Sequence, residues 1–396
     1  MEQVITIRRR AGAVSGLAKR TIGRVVRTSA PLSERTDSFL VIGRGAEANI
    51  GDDTDGYGAV LLESTFDALV EGILDAPVMS GYDSLANLTD GTIVAIEPTG
   101  GTNTLFRPES RHNALFATGR CNSNCLMCSQ PPSDWEPDDI VEEHLRTIEL
   151  IQAAPVNLGI TGGEPTLLGA GLTKILSALK GKFPDAPMFM LTNGRTFSNA
   201  DYATEIAGAI PPNLICCIPL YADVPAIHDY IVQAKGAFEE TLAGLYNCAR
   251  YGIPVEIRVV LHKQSLPRLL PLSDFIYRNL PFVRHVALMG LENMGYVKKN
   301  WDDLWIDPMD YQAELEEAVK RLHYRQMNVS IYNHPLCILP HSLWTFARQS
   351  ISDFKNLYLE ACDRCSERPN CSGLFASSES RHSRGIRTLH IEATNS

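Results

Sequence analysis

From residue 113 onward, short apolar runs alternate with stretches in which apolar positions recur every three or four residues. That alternation predicts strands and helices in series. Asn113–Thr118 reads as the first strand. Over Asp138–Ala153, Val141, Leu145, Ile148 and Ile151 share one helical face, and the acidic first turn suits the positive end of a helix. Strands are expected next at Asn157–Thr161, Met188–Thr192, Leu214–Tyr221, Val255–Leu261 and Arg284–Met289. Helices are expected at Leu172–Leu179, Tyr202–Ala209, Phe238–Tyr251, Leu269–Arg278 and Tyr311–His323. Six such units imply an α/β fold with a parallel sheet and right-handed crossovers, either a partial (β/α)6 barrel or a doubly wound sheet. In both, chemistry gathers at the C-terminal ends of the strands.

The flanking regions read differently. Residues 31–110, rich in Gly, Asp and Thr, hold short alternating stretches at Ser38–Ile42, Ala59–Leu62 and Thr92–Ile96 and suggest a small β-rich or α+β module. Residues 1–30 carry seven Lys/Arg against Glu2, a net of +6, and are expected to be a basic, flexible terminus. The barrel is expected over 111–328. Residues 329–396 read as irregular, with Pro335, Pro340 and four cysteines, the sort of segment that needs a staple to stay folded.

Composition narrows the function classes. Of 396 residues, 44% are hydrophobic and 21% charged, an ordinary globular balance. The net charge of −10 leaves −16 on residues 31–396, which argues against a nucleic-acid partner. Apolar runs such as Leu214–Leu220 are far short of the roughly 20 residues that span a bilayer, so no membrane is expected. Ten cysteines without a secretory segment suggest reduced thiols and a cytoplasmic location. Cys216, Cys217 and Cys248 fall in apolar patterns and read as core.

The other seven cysteines carry the chemistry. Cys121, Cys125 and Cys128 form C-x3-C-x2-C directly after the first strand. Structural zinc wants four ligands, usually from paired C-x2-C units, and no second pair or histidine lies within about 15 residues on the C-terminal side; His144 is helical. Three thiolates on one loop suit three irons of a [4Fe–4S] cluster and leave the fourth open for substrate. Thr-Gly-Gly-Glu-Pro (161–165) ends the second strand and Thr-Asn-Gly (192–194) the third, on the same rim as the triplet. In the tail, Cys337, Cys362, Cys365 and Cys371 suit a closed Fe–S cluster or a four-cysteine zinc site equally well by count, and ligation by three thiolates with an open iron also fits. Tyr221, Asp223, His228, Asp229, Glu292 and Asn293 lie on the same rim and read as caps or loop anchors before substrate contacts. His262 and His334 have no partner visible in the sequence.

This combination resembles the radical S-adenosylmethionine (SAM) superfamily over about residues 110–300. The resemblance implies a partial (β/α)6 radical SAM barrel in which the open iron chelates SAM, and one electron from the cluster releases a 5′-deoxyadenosyl radical that abstracts a substrate hydrogen. It implies that Gly162 and Gly163 let the backbone approach SAM, and that their carbonyls, with Glu164 nearby, accept from its amino group. Pro165 would fix the turn and Asn193 would bind the ribose. Arg258 would pair with the SAM carboxylate or form a structural ion pair. Met127 stands where the family usually has an aromatic residue. The tail is similar to a reduced form of the auxiliary-cluster tail of peptide-modifying members. With Phe375 in place of a further cysteine, it implies one second [4Fe–4S] cluster.

A narrower resemblance begins near residue 90. Arg-His-Asn-Ala-Leu leads into Arg-Cys-Asn-Ser-Asn-Cys-Leu-Met-Cys-Ser-Gln-Pro-Pro, and the chain closes with Ile-Ser-Asp-Phe-Lys-Asn and Cys-x2-Cys-x5-Cys-Ser-Gly-Leu-Phe. Both stretches are similar to radical SAM maturases of the His-Xaa-Ser peptide system. Membership would imply a ribosomally made peptide with His-Xaa-Ser repeats as substrate, a second radical SAM maturase as partner, and an electron donor such as flavodoxin or ferredoxin. A radical enzyme acting on a small metabolite, or a non-catalytic electron-transfer protein, would carry the same cysteine triplet.

Overall fold

The computed structural model describes residues 8–28, 30–43, 54–66, 76–134, 139–349 and 357–390. The expected Ile351–Asn356 motif lies outside them. Among the described residues no helix is long and apolar enough to cross a membrane. The chain divides into two compact units. One comprises residues 1–116, 138–159 and 177–187, the other residues 117–137, 160–176 and 188–396.

The first unit contains an eight-stranded mixed sheet. Its strands are β1 (Arg8–Arg10), β2 (Ala13–Ser15), β3 (Thr21–Val26), β4 (Ser38–Ile42), β5 (Ala59–Glu63), β6 (Val78–Tyr82), β7 (Ile93–Ile96) and β8 (Gly101–Phe106), in the order β1-β8-β7-β3-β4-β5-β6-β2. The pairs β3–β4, β4–β5 and β5–β6 are parallel. One face buries Val25, Phe39, Val41, Leu61, Met79 and Ile96, and the other buries Ile42, Val60, Leu62 and Val78. Burial on both faces is what a central parallel run demands.

This sheet corrects the reading of residues 1–30 as a flexible basic terminus, because three of its strands come from residues 8–26. Two of the basic side chains have acidic partners within the same unit. Arg20 pairs with Glu97 and Glu143, and Arg24 Nη2 lies 2.5 Å from Glu34 Oε2. The charge pattern hid strands that are fixed by pairing with β4, β6, β7 and β8.

The second sheet has seven strands: β9 (Asn113–Phe116), β10 (Leu158–Thr161), β11 (Met188–Leu191), β12 (Leu214–Pro219), β13 (Val255–Leu261), β14 (His285–Gly290) and β15 (Val329–Tyr332), ordered β15-β14-β13-β12-β11-β10-β9. The four pairings from β11 to β15 are parallel. The helices are α1 (Leu32–Arg35), α2 (Ile140–Leu150), α3 (Ala170–Lys182), α4 (Ala200–Ala209), α5 (Pro225–Val232), α6 (Ala237–Tyr251), α7 (Leu269–Asn279), α8 (Trp301–Leu304) and α9 (Gln312–Tyr324). All six expected barrel strands and their helices are present, with ends shifted by a few residues. Three elements of this part depart from expectation, the short helix α8 among them. Pro225 opens the extra helix α5, and β15 adds a seventh strand where an irregular tail was expected. Only four residues long, β15 is defined by its pairing with β14 and carries no periodic signal of its own.

Candidate functional site

All the side chains in this section belong to the second unit. The loop after β9 carries Cys121, Cys125 and Cys128, each half-buried. A short turn holds them together, with the Cys128 N–H donating to the Cys125 carbonyl at 3.0 Å. Burial pushes the Cys125 thiol up to about 12 and the Cys128 thiol to about 11; each is raised further by neighbouring cysteines of the triplet. Burial also raises Cys121, against backbone N–H groups and Arg195, which lower it. Metal binding must therefore displace protons from all three sulfurs.

The strand ends that face this loop are tied to it by backbone. The Gly163 N–H donates to the Thr118 carbonyl at 2.8 Å, and the Glu164 N–H to the Arg120 carbonyl at 2.8 Å. A Cβ on Gly162 would lie 2.4 Å from the Thr118 oxygen, and one on Gly163 would lie 2.2 Å from the Arg120 oxygen. Gly162 also holds φ +142, a conformation that favours glycine. Close approach is indeed why both are glycine. The backbone they admit is the cysteine loop itself.

Glu164 has a structural role of its own. Its side chain is fully buried and its carboxylate is spent inside the protein. One oxygen accepts from the Thr166 N–H (3.0 Å), the Thr166 hydroxyl (2.7 Å) and the Thr192 hydroxyl (2.7 Å); the other accepts from the Asn193 N–H (2.6 Å). Burial raises its pKa, and these hydrogen bonds pull the other way. Glu164 thus caps the 3-10 turn Pro165–Leu168, which Pro165 opens, and locks the end of β10 to the end of β11. In this structure it serves as a structural tie between the two strand ends.

That tie places Asn193. Its side-chain nitrogen lies 2.5 Å from Asn122 Oδ1 and 4.0 Å from Cys121 Sγ, so the turn after β11 touches the cysteine loop. Arg195, which the sequence reading passed over, strengthens the contact. It donates to the Asn122 carbonyl and to Ser123 Oγ (3.1 Å), and pairs with Glu240 on α6 at 2.7 Å. The signal was available, since Arg195 directly follows Thr-Asn-Gly on the rim.

The remaining rim residues are mostly anchors. Asp229 accepts from the Gly236 and Phe238 N–H groups at 2.6 and 2.8 Å. Asp223 pairs with Arg268 (2.5 Å) and Asn293 reaches the Ser377 carbonyl (3.2 Å). His228 accepts from the Tyr221 N–H, and burial holds its pKa down at about 4. Met127 and Tyr221 pack in one apolar cluster with Cys125 and Val260, so Met127 fills space beside the triplet. His334 bonds Tyr311 (2.8 Å), while buried His262 accepts from the Gln264 N–H at 3.2 Å. Arg258 donates from Nε to Glu256 at 2.7 Å; of the two readings offered for it, the ion pair is present. Cys216, Cys217 and Cys248 are buried, as expected.

In the tail, Cys337, Cys362, Cys365 and Cys371 line a single pocket together with Tyr358, Arg368 and Arg387. The Leu336 N–H points at Cys371 Sγ (3.4 Å), and burial raises the thiols of Cys337 and Cys371. Among the described residues no three ligating side chains converge on a point that would hold one ion. Tetrahedral zinc would draw its sulfurs to within about 3.8 Å of each other, from bonds of about 2.3 Å. A cubane gives each thiolate its own iron and spreads them wider. By ligand count the tail set suits a closed Fe–S cluster or a four-cysteine zinc site.

Comparison with known proteins matches residues 115–272 to the Radical SAM superfamily. Pre-heme d1 synthase of Dinoroseobacter shibae is 30% identical over 187 residues, covering 44% of this chain and 43% of that protein. Fe-coproporphyrin III synthase of Methanosarcina barkeri is 27% identical over 164 residues, covering 40% and 39%. The chain thus spans less than half the length of these two relatives. Among solved structures, Streptococcus suis SuiB bound to S-adenosylmethionine aligns with a TM-score of 0.47 at 15% identity, over 65% of this chain and 56% of that one. With the thiol triplet after β9 and Gly-Gly-Glu-Pro after β10, residues 115–272 carry a radical SAM superfamily domain.

Proposed function

We propose that this protein is a radical SAM enzyme that binds a [4Fe–4S] cluster through Cys121, Cys125 and Cys128 and modifies a ribosomally made peptide of the His-Xaa-Ser type. The observation that carries the first half is the three-thiol loop, tied by backbone to Gly163 and Glu164 and by side chain to Asn193. A bound cluster with SAM would supply reductive cleavage to a 5′-deoxyadenosyl radical. The protein's own part is placement. Glu164 sets the Asn193 turn, where the Asn193 side chain would meet the ribose; the carbonyls of Gly162 and Gly163 would take the SAM amine. Arg258 would take the carboxylate. In the tail, four thiols around one pocket would hold a second [4Fe–4S] cluster that passes electrons or closes the site.

The peptide substrate rests on the two sequence stretches that resemble the His-Xaa-Ser maturases, with a flavodoxin- or ferredoxin-type donor and a second maturase as partners. A second reading, a tetrapyrrole or other small metabolite as substrate, is favoured by the identity to the two tetrapyrrole enzymes. The test is anaerobic reconstitution with SAM and dithionite. Release of 5′-deoxyadenosine is expected, and its absence would leave an electron-transfer protein. Adding a His-Xaa-Ser peptide should change the peptide's mass; an unchanged peptide with turnover of a tetrapyrrole would replace the first substrate by the second.

A further inference from the structure

The turn that follows β11 is set hard against α6. A Cβ on Gly244 would lie 2.1 Å from the Gly194 carbonyl oxygen, so glycine is what lets the helix come this close. Asn247 of the same helix donates to the Phe197 carbonyl at 2.9 Å, and the Thr241 hydroxyl to the Asn193 carbonyl at 3.2 Å. Gly194 holds φ +75 and hands the chain to the 3-10 turn Arg195–Ser198. Arg195 therefore starts from a fixed base.

From that base its side chain crosses to the cysteine loop. Nε donates to Glu240 Oε2 of α6 at 2.7 Å, while Nη1 donates to the Asn122 carbonyl and, at 3.1 Å, to Ser123 Oγ. Asn122 and Ser123 directly follow Cys121. The far half of the loop rests on α5, where the Asn124 and Leu126 N–H groups donate to the Val232 and Ile231 carbonyls, each at 3.0 Å.

The Arg195 side chain is only 12% exposed, and Ser123 is buried. A guanidinium is a permanent charge, and burial limits how far solvent and salt screen it. The surroundings are otherwise acidic. Three thiols become thiolates when they bind metal, and the charge of buried Glu164 acts on Cys121. Burial raises the thiols of Cys121 and Cys125, and the Arg195 charge pulls both down. Glu240, its partner at the Nε end, is 45% exposed, so solvent weakens the opposing charge.

We propose that Arg195 is a positioning residue that clamps the Cys121–Cys125 loop to α6 and is the counter-charge of the metal centre those cysteines hold, a role that rests on the cluster proposed above. Reduction adds one negative charge to a cluster, so a fixed positive charge beside it raises the reduction potential. The experiment compares Arg195→Met, Arg195→Lys and Glu240→Gln with the wild-type full chain. In the metal-free protein, amide exchange at Asn124 should quicken several-fold in both Arg195 variants, since each loses the fork. Unchanged exchange along β13 separates this from general unfolding. After anaerobic reconstitution, the midpoint potential is read by EPR, using the signal that changes on adding SAM. It should fall in Arg195→Met and stay near wild type in Arg195→Lys, which keeps the charge. In Glu240→Gln it should rise, because the hydrogen bond to Nε is kept and the opposing charge is lost. A potential that is unchanged or higher in Arg195→Met overturns the counter-charge, and unchanged exchange at Asn124 overturns the clamp. If the wild-type protein holds no iron, or no signal answers SAM, the proposed function fails and the counter-charge with it. Exchange in the metal-free protein then still decides the clamp.

Discussion

Replacing Glu164 tests whether Gly-Gly-Glu-Pro acts on a ligand or on the fold. Glu164→Ala removes the acceptor of two backbone N–H groups, from Thr166 and Asn193, in a fully buried position. The two threonine hydroxyls can turn elsewhere, and Thr166 already has Thr196 at 2.9 Å. An unsatisfied buried donor costs about 1–3 kcal/mol, so the two stranded amides should cost about 2–6 kcal/mol. Whole-domain stabilities are only about 5–15 kcal/mol, so the effect is large. Glu164→Gln keeps one acceptor oxygen for the Thr166 and Thr192 donors but sets an amide NH2 against the Asn193 N–H. It should cost less overall and release mainly Asn193. Trp301, Trp305 and Trp344 all lie in the second unit, so intrinsic fluorescence during urea unfolding reports on that unit. Hydrogen exchange read at Asn193 should show lost protection in both variants, and at Thr166 only in the alanine variant. If both variants unfold at the wild-type midpoint while SAM binding is abolished, the carboxylate serves the ligand and the structural account is wrong.

Three further outcomes are expected. Burial alone would raise the pKa of Glu256, but hydrogen bonds from His285 and Arg258 outweigh it and hold the carboxyl down at about 2, from an ordinary 4.5. A depressed carboxyl stabilises the fold above its unfolded value, and that stability is lost as pH falls from about 4.5 toward 2. Glu256→Gln should therefore flatten this part of the acid-denaturation profile, worth on the order of 3 kcal/mol; an unchanged profile would count against the ion pair. Gly163→Ala drives a methyl group into the Arg120 carbonyl and should lower the urea midpoint by about 1–3 kcal/mol of stability or more, with wild-type stability refuting the close approach. Cys362→Ala combined with Cys365→Ala should lower bound iron after reconstitution by about half, since one of two clusters is lost, while unchanged iron would rule out a cluster in the tail.

Much of the barrel was legible because its signal is local. Apolar spacing in Val255–Leu261 or Phe238–Tyr251 depends on a few neighbouring residues, and both elements lie where the pattern puts them, the helix starting one residue earlier. The thiol triplet was legible for the same reason, since its three sulfurs share one loop. Residues 8–26 were misread because their strands pair with β8, β6 and β7, far along the chain. Strand β15 was missed because four residues show no period until β14 supplies a register.

At the site the same division holds. By itself the sequence determined which residues meet at successive strand ends: three cysteines, Gly-Gly-Glu-Pro and Asn193. Tertiary structure decided what each one touches. It turned Glu164 inward onto four donors, filled the space above Gly162 and Gly163 with the cysteine loop, and drew Cys337 to the other tail cysteines. It also joined Glu256, His285 and Ser330 from three strands into one chain. A residue's type and place in a strand follow from local pattern. Its hydrogen-bond partners follow from the register of strands that lie far apart in the sequence, and only the folded chain sets that register.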